Sequence, residues 1–159
     1  MSKHKPIEIF TPPNTLKAKV GGSGGTLDMS AVKRAEEALA TLKTEFGDWI
    51  AADVQALQTS RDAFLADPSA ECRSDLYRAS HDLRGQARTF EFPLVERVAA
   101  SLCRLLDAPA AVTAPHLVDA HVGAIRVIVR DNIKDRSNVM ASTLAKELEA
   151  RVSEFLTQP

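Results

Sequence analysis

From Asp28 onward, apolar residues recur every three or four positions, the period of one helix face. Val32, Ala35, Leu39, Leu42, Phe46, Trp49 and Leu57 form the first stripe. Asp53 interrupts it, and Val54 beside it takes the stripe up. Asp28 is an N-cap residue, because its carboxylate can accept from the free amides of a first turn. Gly47 does not shift the phase, so the run to Ala66 reads either as one long helix or as two nearly collinear ones. Asp67-Pro68 ends it. A second helix is predicted over about Ser69–Phe90, with Cys72, Leu76, Ala79, Leu83, Ala87 and Phe90 inward. Pro93 opens a third, with Leu94, Val95, Val98, Leu102, Leu105 and Leu106 on its inner face, and Asp107-Ala108-Pro109 stops it. Thr113 caps a fourth with Pro115 near its first turn, carrying Leu117, Val118, Val122, Ile125, Val129 and Ile133. The last helix starts near Ser137, and Met140, Leu144, Leu148, Val152 and Phe155 are its predicted core stripe.

No segment reads as a sheet. The β-branched cluster Ile125–Val129 lies inside a helical pattern that lacks turn residues. Short connections between amphipathic helices favour antiparallel neighbours. The expected fold is all-α: an up-and-down four-helix bundle with an N-terminal extension and at most one additional helix.

Residues 1–27 differ in composition from the rest. They hold three of the eight prolines and four of the seven glycines, and Gly21-Gly22-Ser23-Gly24-Gly25 reads as a flexible linker. The expected organisation is a flexible tail over 1–27 and one helical domain over 28–157. The chain of 159 residues is long enough to bury a core without disulfides or metals.

Charge and cysteine content narrow the function classes. Lys+Arg number 20 against 21 Asp+Glu. A nucleic-acid binder needs surplus cations to displace phosphate counterions, so that class is disfavoured. No apolar run approaches the roughly 20 residues that span a bilayer, and Met1–Phe10 has no apolar core of signal-peptide type. Cys72 and Cys103 have no zinc spacing and fit a reducing compartment, so a cytoplasmic location is expected.

One segment carries candidate chemistry: Arg78-Ala79-Ser80-His81-Asp82-Leu83-Arg84-Gly85-Gln86-Ala87-Arg88. With about 100° per residue and Leu76 at zero, Ser80, Leu83, Ala87 and Phe90 fall within about 40° of the core direction. On the same wheel Arg84 falls at about 80°, Arg88 at about 120°, His81 at about 140°, Gly85 at about 180° and Arg78 at about 200°. The imidazole therefore faces solvent among three guanidinium groups and beside a residue without a side chain. A neutral imidazole is a nucleophile, and nearby arginines stabilise an anionic adduct by charge-assisted hydrogen bonds. Gly85 costs the helix roughly 1 kcal/mol against Ala. It leaves room for a bulky group or a partner's surface, although a packing reason for it is equally open.

His81-Asp82-Leu83-Arg84-Gly85-Gln86-Ala87 resembles the motif of histidine phosphotransfer (HPt) domains: a histidine, a basic residue three positions on, a glycine four on, then small residues. The helix count and order over about 30–155 are similar to that family, and the specific part is a dozen residues long. The resemblance implies a carrier that takes a phosphoryl group from the phospho-aspartate of one receiver domain and passes it to another. His81 would be the phosphoacceptor, Arg84 would offset phosphoryl charge, Gly85 would clear space, and Gln86 would support the group or its approach. Arg78 and Arg88, added from the helical wheel, and Tyr77 complete the candidate partner-binding face. The implied partners are response-regulator receiver domains and a hybrid sensor histidine kinase, with Mg²⁺ on the receiver and no cofactor on this chain. The sequence departs from the family pattern in two places. Arg84 stands for the usual Lys, and Glu91 stands where a glycine often follows, ten positions after the histidine.

The glycine run Gly21–Gly25 has no Lys-Ser/Thr ending and no preceding strand, so no ATP-dependent kinase activity is expected. His116 and His121 are five apart and do not share a helix face, so both are read as structural. Cys72 and Trp49 are read as core residues, and Lys146-Glu147-Leu148-Glu149 as an exposed face. Two other readings stand beside the carrier. One is a non-catalytic helical adaptor or dimerisation module with an unused histidine. The other is a dimeric histidine-kinase-like bundle. The chain supplies enough amphipathic helices to close a bundle alone, so a monomer is expected.

Overall fold

The computed structural model describes residues 28–108, 111 and 114–157. The tail over 1–27, the stop at Pro109 and the cap at Thr113 lie outside the described residues. Among the described residues five helices follow in order: α1 (Met29–Ala66), α2 (Ala70–Thr89), α3 (Pro93–Asp107), α4 (Pro115–Arg130) and α5 (Val139–Thr157). No strand occurs among the described residues. The chain divides into two compact units, Met1–Ala40 and Thr41–Pro159. Of the first, only Asp28–Ala40, the opening of α1, is described.

The helix starts follow capping chemistry. Asp28 Oδ1 accepts from the Ser30 amide at 2.9 Å, and Ser69 Oγ accepts from the Cys72 amide at 3.3 Å. Pro93 and Pro115 each occupy a first-turn position, where a missing N–H costs nothing. Gly47 does not break α1, which is a single helix of 38 residues.

Two helices end on a residue with left-handed backbone. Glu91 has φ 63° and Asn132 has φ 50°. Around each, a Schellman pattern closes the helix: Phe92 N–H donates to the Ala87 carbonyl at 2.8 Å, and Ile133 N–H to the Ile128 carbonyl at 2.9 Å. Asparagine tolerates this conformation and glutamate does so poorly. Glu91 thus marks a turn that favours glycine.

The core of the unit Thr41–Pro159 is built around α3, which packs against α2, α4 and α5. Leu94, Val95, Val98, Ala99, Leu102, Leu105 and Leu106 of α3 are buried. They meet Leu76, Leu83 and Ala87 of α2, Val118, Val122, Ile125 and Ile128 of α4, and Leu148 and Val152 of α5 in one cluster. Ile50, Val54, Leu57 and Phe64 of α1 join the same cluster. Arg97 of α3 makes a two-pronged pair with Glu149 of α5 at 2.6 and 3.1 Å, and Arg61 of α1 pairs with Asp119 of α4. Among the described residues no helix is long and apolar enough to cross a membrane.

The packing corrects three expectations. On α5 the buried positions are Ala141, Ala145, Leu148 and Val152, whereas Met140 and Leu144 are exposed. Alanines allow α5 to approach its neighbours closely, and the stripe turns by about one residue to present them. Trp49 is half-exposed, because α1 turns Ile50 and Val54 inward instead. Glu149 is half-buried, drawn in by Arg97, so the acid-rich segment is not wholly an exposed face.

His121 does have the structural role expected of it. It is fully buried on α4. Its Nδ1 lies 2.7 Å from the Leu117 carbonyl and its Nε2 3.0 Å from Ser101 Oγ on α3. A carbonyl only accepts, so Nδ1–H donates to it, and Nε2 accepts from the Ser101 hydroxyl. His116 is exposed.

Candidate functional site

The candidate site is a stripe on the outer face of α2. Tyr77, Arg78, His81, Arg84, Gly85 and Arg88 fall within about 120° of one another at about 100° per residue, so they share that face. The opposite face holds it in place: Leu76, Ser80, Leu83 and Ala87 are buried. Ser80 satisfies its own hydroxyl by donating to the Leu76 carbonyl at 2.7 Å. The helix is thus fixed in rotation by its core side, and the histidine has no choice of face.

The His81 side chain is 57% exposed. The Tyr77 ring stacks against it, with centroids 6.2 Å apart and planes 22° from parallel. Helical side chains lean toward the N-terminus, so Tyr77 supports the imidazole from the preceding turn. The following turn is open: a Cβ built on Gly85 would meet no atom within 4 Å. No packing within the described chain therefore requires a glycine there. Gln86 is half-buried and, five residues on from His81, lies about 140° round the helix from it, off the stripe.

The cations differ in their engagement. Arg78 turns away to Asp75, with its Nη1 3.2 Å from Oδ1. Arg84 and Arg88 are exposed and form no ion pair among the described residues. Their guanidinium groups are free to meet an anion arriving at His81. Arg84 also acts inward on Cys103 of α3. Burial pushes that thiol up, and the Arg84 charge partly offsets the effect. Cys103 is buried and far from thiolate chemistry.

Two acidic residues beside the stripe were not singled out as site residues from sequence. Asp82 Oδ1 stands 3.8 Å from His81 Nδ1, too far for a hydrogen bond. Asp53 of α1 faces Asp82: burial first, then the Asp82 charge, raises the Asp53 carboxyl above its usual range. Its buried Oδ2 has no hydrogen-bond partner among the described residues. The signal for Asp53 was in the sequence, as the one acid in an apolar stripe. Its neighbour Asp82 on another helix was not legible there.

At the far end of the stripe, Arg88 borders a hollow of about 750 Å³ that Glu91, Glu96, Lys134 and Arg136 also line. His81 does not line it. Among the described residues no three His, Cys, Asp or Glu side chains gather as a metal ion needs. The arrangement offers one exposed nucleophile, unpaired cations beside it, and clear space one turn on. Comparison of the chain with family models, curated proteins and solved structures gives no match.

Proposed function

We propose that the chain is a histidine phosphotransfer protein, a phosphoryl carrier between receiver domains of a two-component phosphorelay in the cytoplasm. The observation that carries the reading is His81. It is an exposed imidazole in mid-helix, with the unpaired guanidinium groups of Arg84 and Arg88 on its face and open space above Gly85. The five helices are read accordingly as an HPt-like up-and-down four-helix bundle with one additional helix.

The chemistry asks little of the carrier. The unprotonated ring nitrogen of His81 attacks the phosphorus of an aspartyl phosphate. A P–N bond forms as the P–O bond to the aspartate breaks, and the carboxylate leaves with the bonding pair. Charge on the phosphoryl oxygens is met by Arg84, and by Arg88 one turn further on. Tyr77 holds the ring against rotation. The receiver supplies Mg²⁺ and its own acidic pocket. Gly85 leaves its surface room to close on the histidine, and Arg78 contributes to docking at the stripe's other end. A sensor histidine kinase of the hybrid type is the implied source of the phosphoryl group.

The test is transfer to the purified full chain from a radiolabelled phospho-receiver domain with Mg²⁺, alongside His81→Gln. Acid-labile, base-stable label on the wild type alone is the expected result. No label from several competent receivers, or from phosphoramidate, would favour an adaptor with an unused histidine. Label on both proteins would mean a different acceptor.

A further inference from the structure

Where α2 and α4 end, the unit Thr41–Pro159 holds a hollow of about 470 Å³. Its walls are Phe46 and Ile50 of α1, Phe90 and Phe92 at the turn from α2 to α3, and Val129 of α4. Ile50, Phe90 and Phe92 are buried, and Phe46 and Val129 are half-buried. Sites for small molecules have volumes of about 300 to 1,000 Å³ and join apolar walls to a few polar groups.

Two polar side chains complete this hollow. Asn132 and Lys134 follow α4, and both are exposed, so they stand at its mouth. Lys134 is the one charged residue in the lining. Its Nζ lies 5.0 Å from the centroid of the Phe92 ring, and it forms no ion pair among the described residues. The ring attracts the ammonium and holds it at the mouth in advance, which lowers the cost of ordering it around a ligand. Glu91 shares a smaller adjoining hollow with Lys134 but does not pair with it. The Asn132 side-chain amide has no hydrogen-bond partner among the described residues, so its two N–H donors are free. Gly47 of α1 also lines the hollow, and a Cβ built on it would meet no atom within 4 Å. No packing within the described chain accounts for a glycine in mid-helix there, and a side chain would take up room that it leaves open.

We propose that this hollow binds a small aromatic carboxylate, its ring among Phe46, Phe90 and Phe92 and its carboxylate on the Lys134 ammonium and the Asn132 amide. The walls select a ring. Phe46 and Phe90 have centroids 5.2 Å apart with planes 41° from parallel, a tilted pair that offers both an edge and a face to a third ring. The mouth selects the charge. A neutral ring would cover the ammonium without giving it a partner, and a cation would be repelled by it, whereas a carboxylate accepts a charge-assisted hydrogen bond. His81 does not line this hollow, and Phe90 lies on the opposite face of α2, since nine residues at about 100° each leave about half a turn. The inference therefore stands whatever His81 does.

Trp49 is the only tryptophan of the chain, with its ring 5.5 Å from Phe46 and 6.4 Å from Phe90, so its indole N–H reports on the hollow. The experiment is a titration of the nitrogen-15-labelled full chain with naphthalene-1-carboxylate, followed by that resonance. A saturable shift with a dissociation constant below about 1 mM is expected. Lys134→Met keeps a long apolar stem without the charge, and Lys134 is exposed, so circular dichroism should show unchanged helix content. It should weaken binding at least about tenfold, as should replacing the ligand by neutral naphthalene-1-carboxamide. Gly47→Leu should weaken binding by narrowing the hollow, and Lys146→Met, on the exposed side of α5, should leave it unchanged. No saturable shift with the carboxylate overturns the proposal. So does a Lys134→Met chain that binds as well as the wild type, or a carboxamide that binds as tightly as the carboxylate. Hexanoate binding as tightly as the naphthalene compound overturns the choice of an aromatic ligand.

Discussion

His121 uses both ring nitrogens inside the protein, on Leu117 and Ser101, and burial lowers its pKa from the ordinary 6.5. The folded chain therefore binds fewer protons than the unfolded chain at and below that pH. Stability from this residue is complete above the unfolded value and is lost as pH falls from it toward the folded value. The urea midpoint is expected to drop between about pH 7.5 and about pH 5.5, and to drop less in His121→Gln. An equal drop in both proteins would place the acid sensitivity elsewhere. Gly85 invites the opposite kind of test. No atom opposes a Cβ there, so Gly85→Ala should raise stability by roughly 0.5–1 kcal/mol in chemical denaturation. Gly85→Leu should also fold, yet slow phosphoryl transfer by about tenfold or more, a loss of about 1.4 kcal/mol of transition-state binding. Unimpaired transfer in Gly85→Leu would mean that no partner closes over this turn.

Among the elements, α2 shows how far a local pattern reaches. Its apolar spacing placed Leu76, Leu83 and Ala87 inside and His81 outside, and the fold agrees. A 20-residue helix with one polar face has a single way to sit on a core. Its end carries a less obvious device. Glu91 adopts φ 63° at the turn into α3, in the place where the sequence resemblance expects glycine. The turn keeps its form despite the substitution, because the Phe92 amide reaches Ala87 and Phe92 is buried. The strain of a left-handed glutamate amounts to about 1 kcal/mol. Glu91→Gly is therefore expected to raise the thermal midpoint by a few degrees, read by calorimetry. A lower midpoint would show that the glutamate side chain contributes more than its backbone costs. On α5 the pattern misled: Met140 and Leu144 keep helical spacing with Leu148, yet Ala141 and Ala145 face the core. Helical periodicity permits either stripe, and the neighbours chose the one that lets backbones approach.

For the molecule as a whole, the division between sequence and structure follows the range of the forces involved. Helix number, order and most boundaries are set by contacts within a few residues, by caps such as Asp28 and Ser69 and by Pro93 and Pro115, so they were legible along the chain. The exposure of His81, Arg84 and Arg88 was legible for the same reason, since one helix face must point inward. What the sequence left open was decided by packing between segments far apart. α1 continues through Gly47 as one helix, and Trp49 stays at the surface beside Phe90. Glu149 was drawn in by Arg97, and Asp53 was partly buried within reach of the Asp82 charge, so that burial first and that charge second raise its carboxyl. These pairings join residues separated by tens of positions. No periodicity encodes them, because they depend on which helices become neighbours and at what rotation. The sequence by itself determined the helices and the face that carries the histidine; only the tertiary structure decided which candidate stripe α1 and α5 buried, because that choice depends on the helices that become their neighbours.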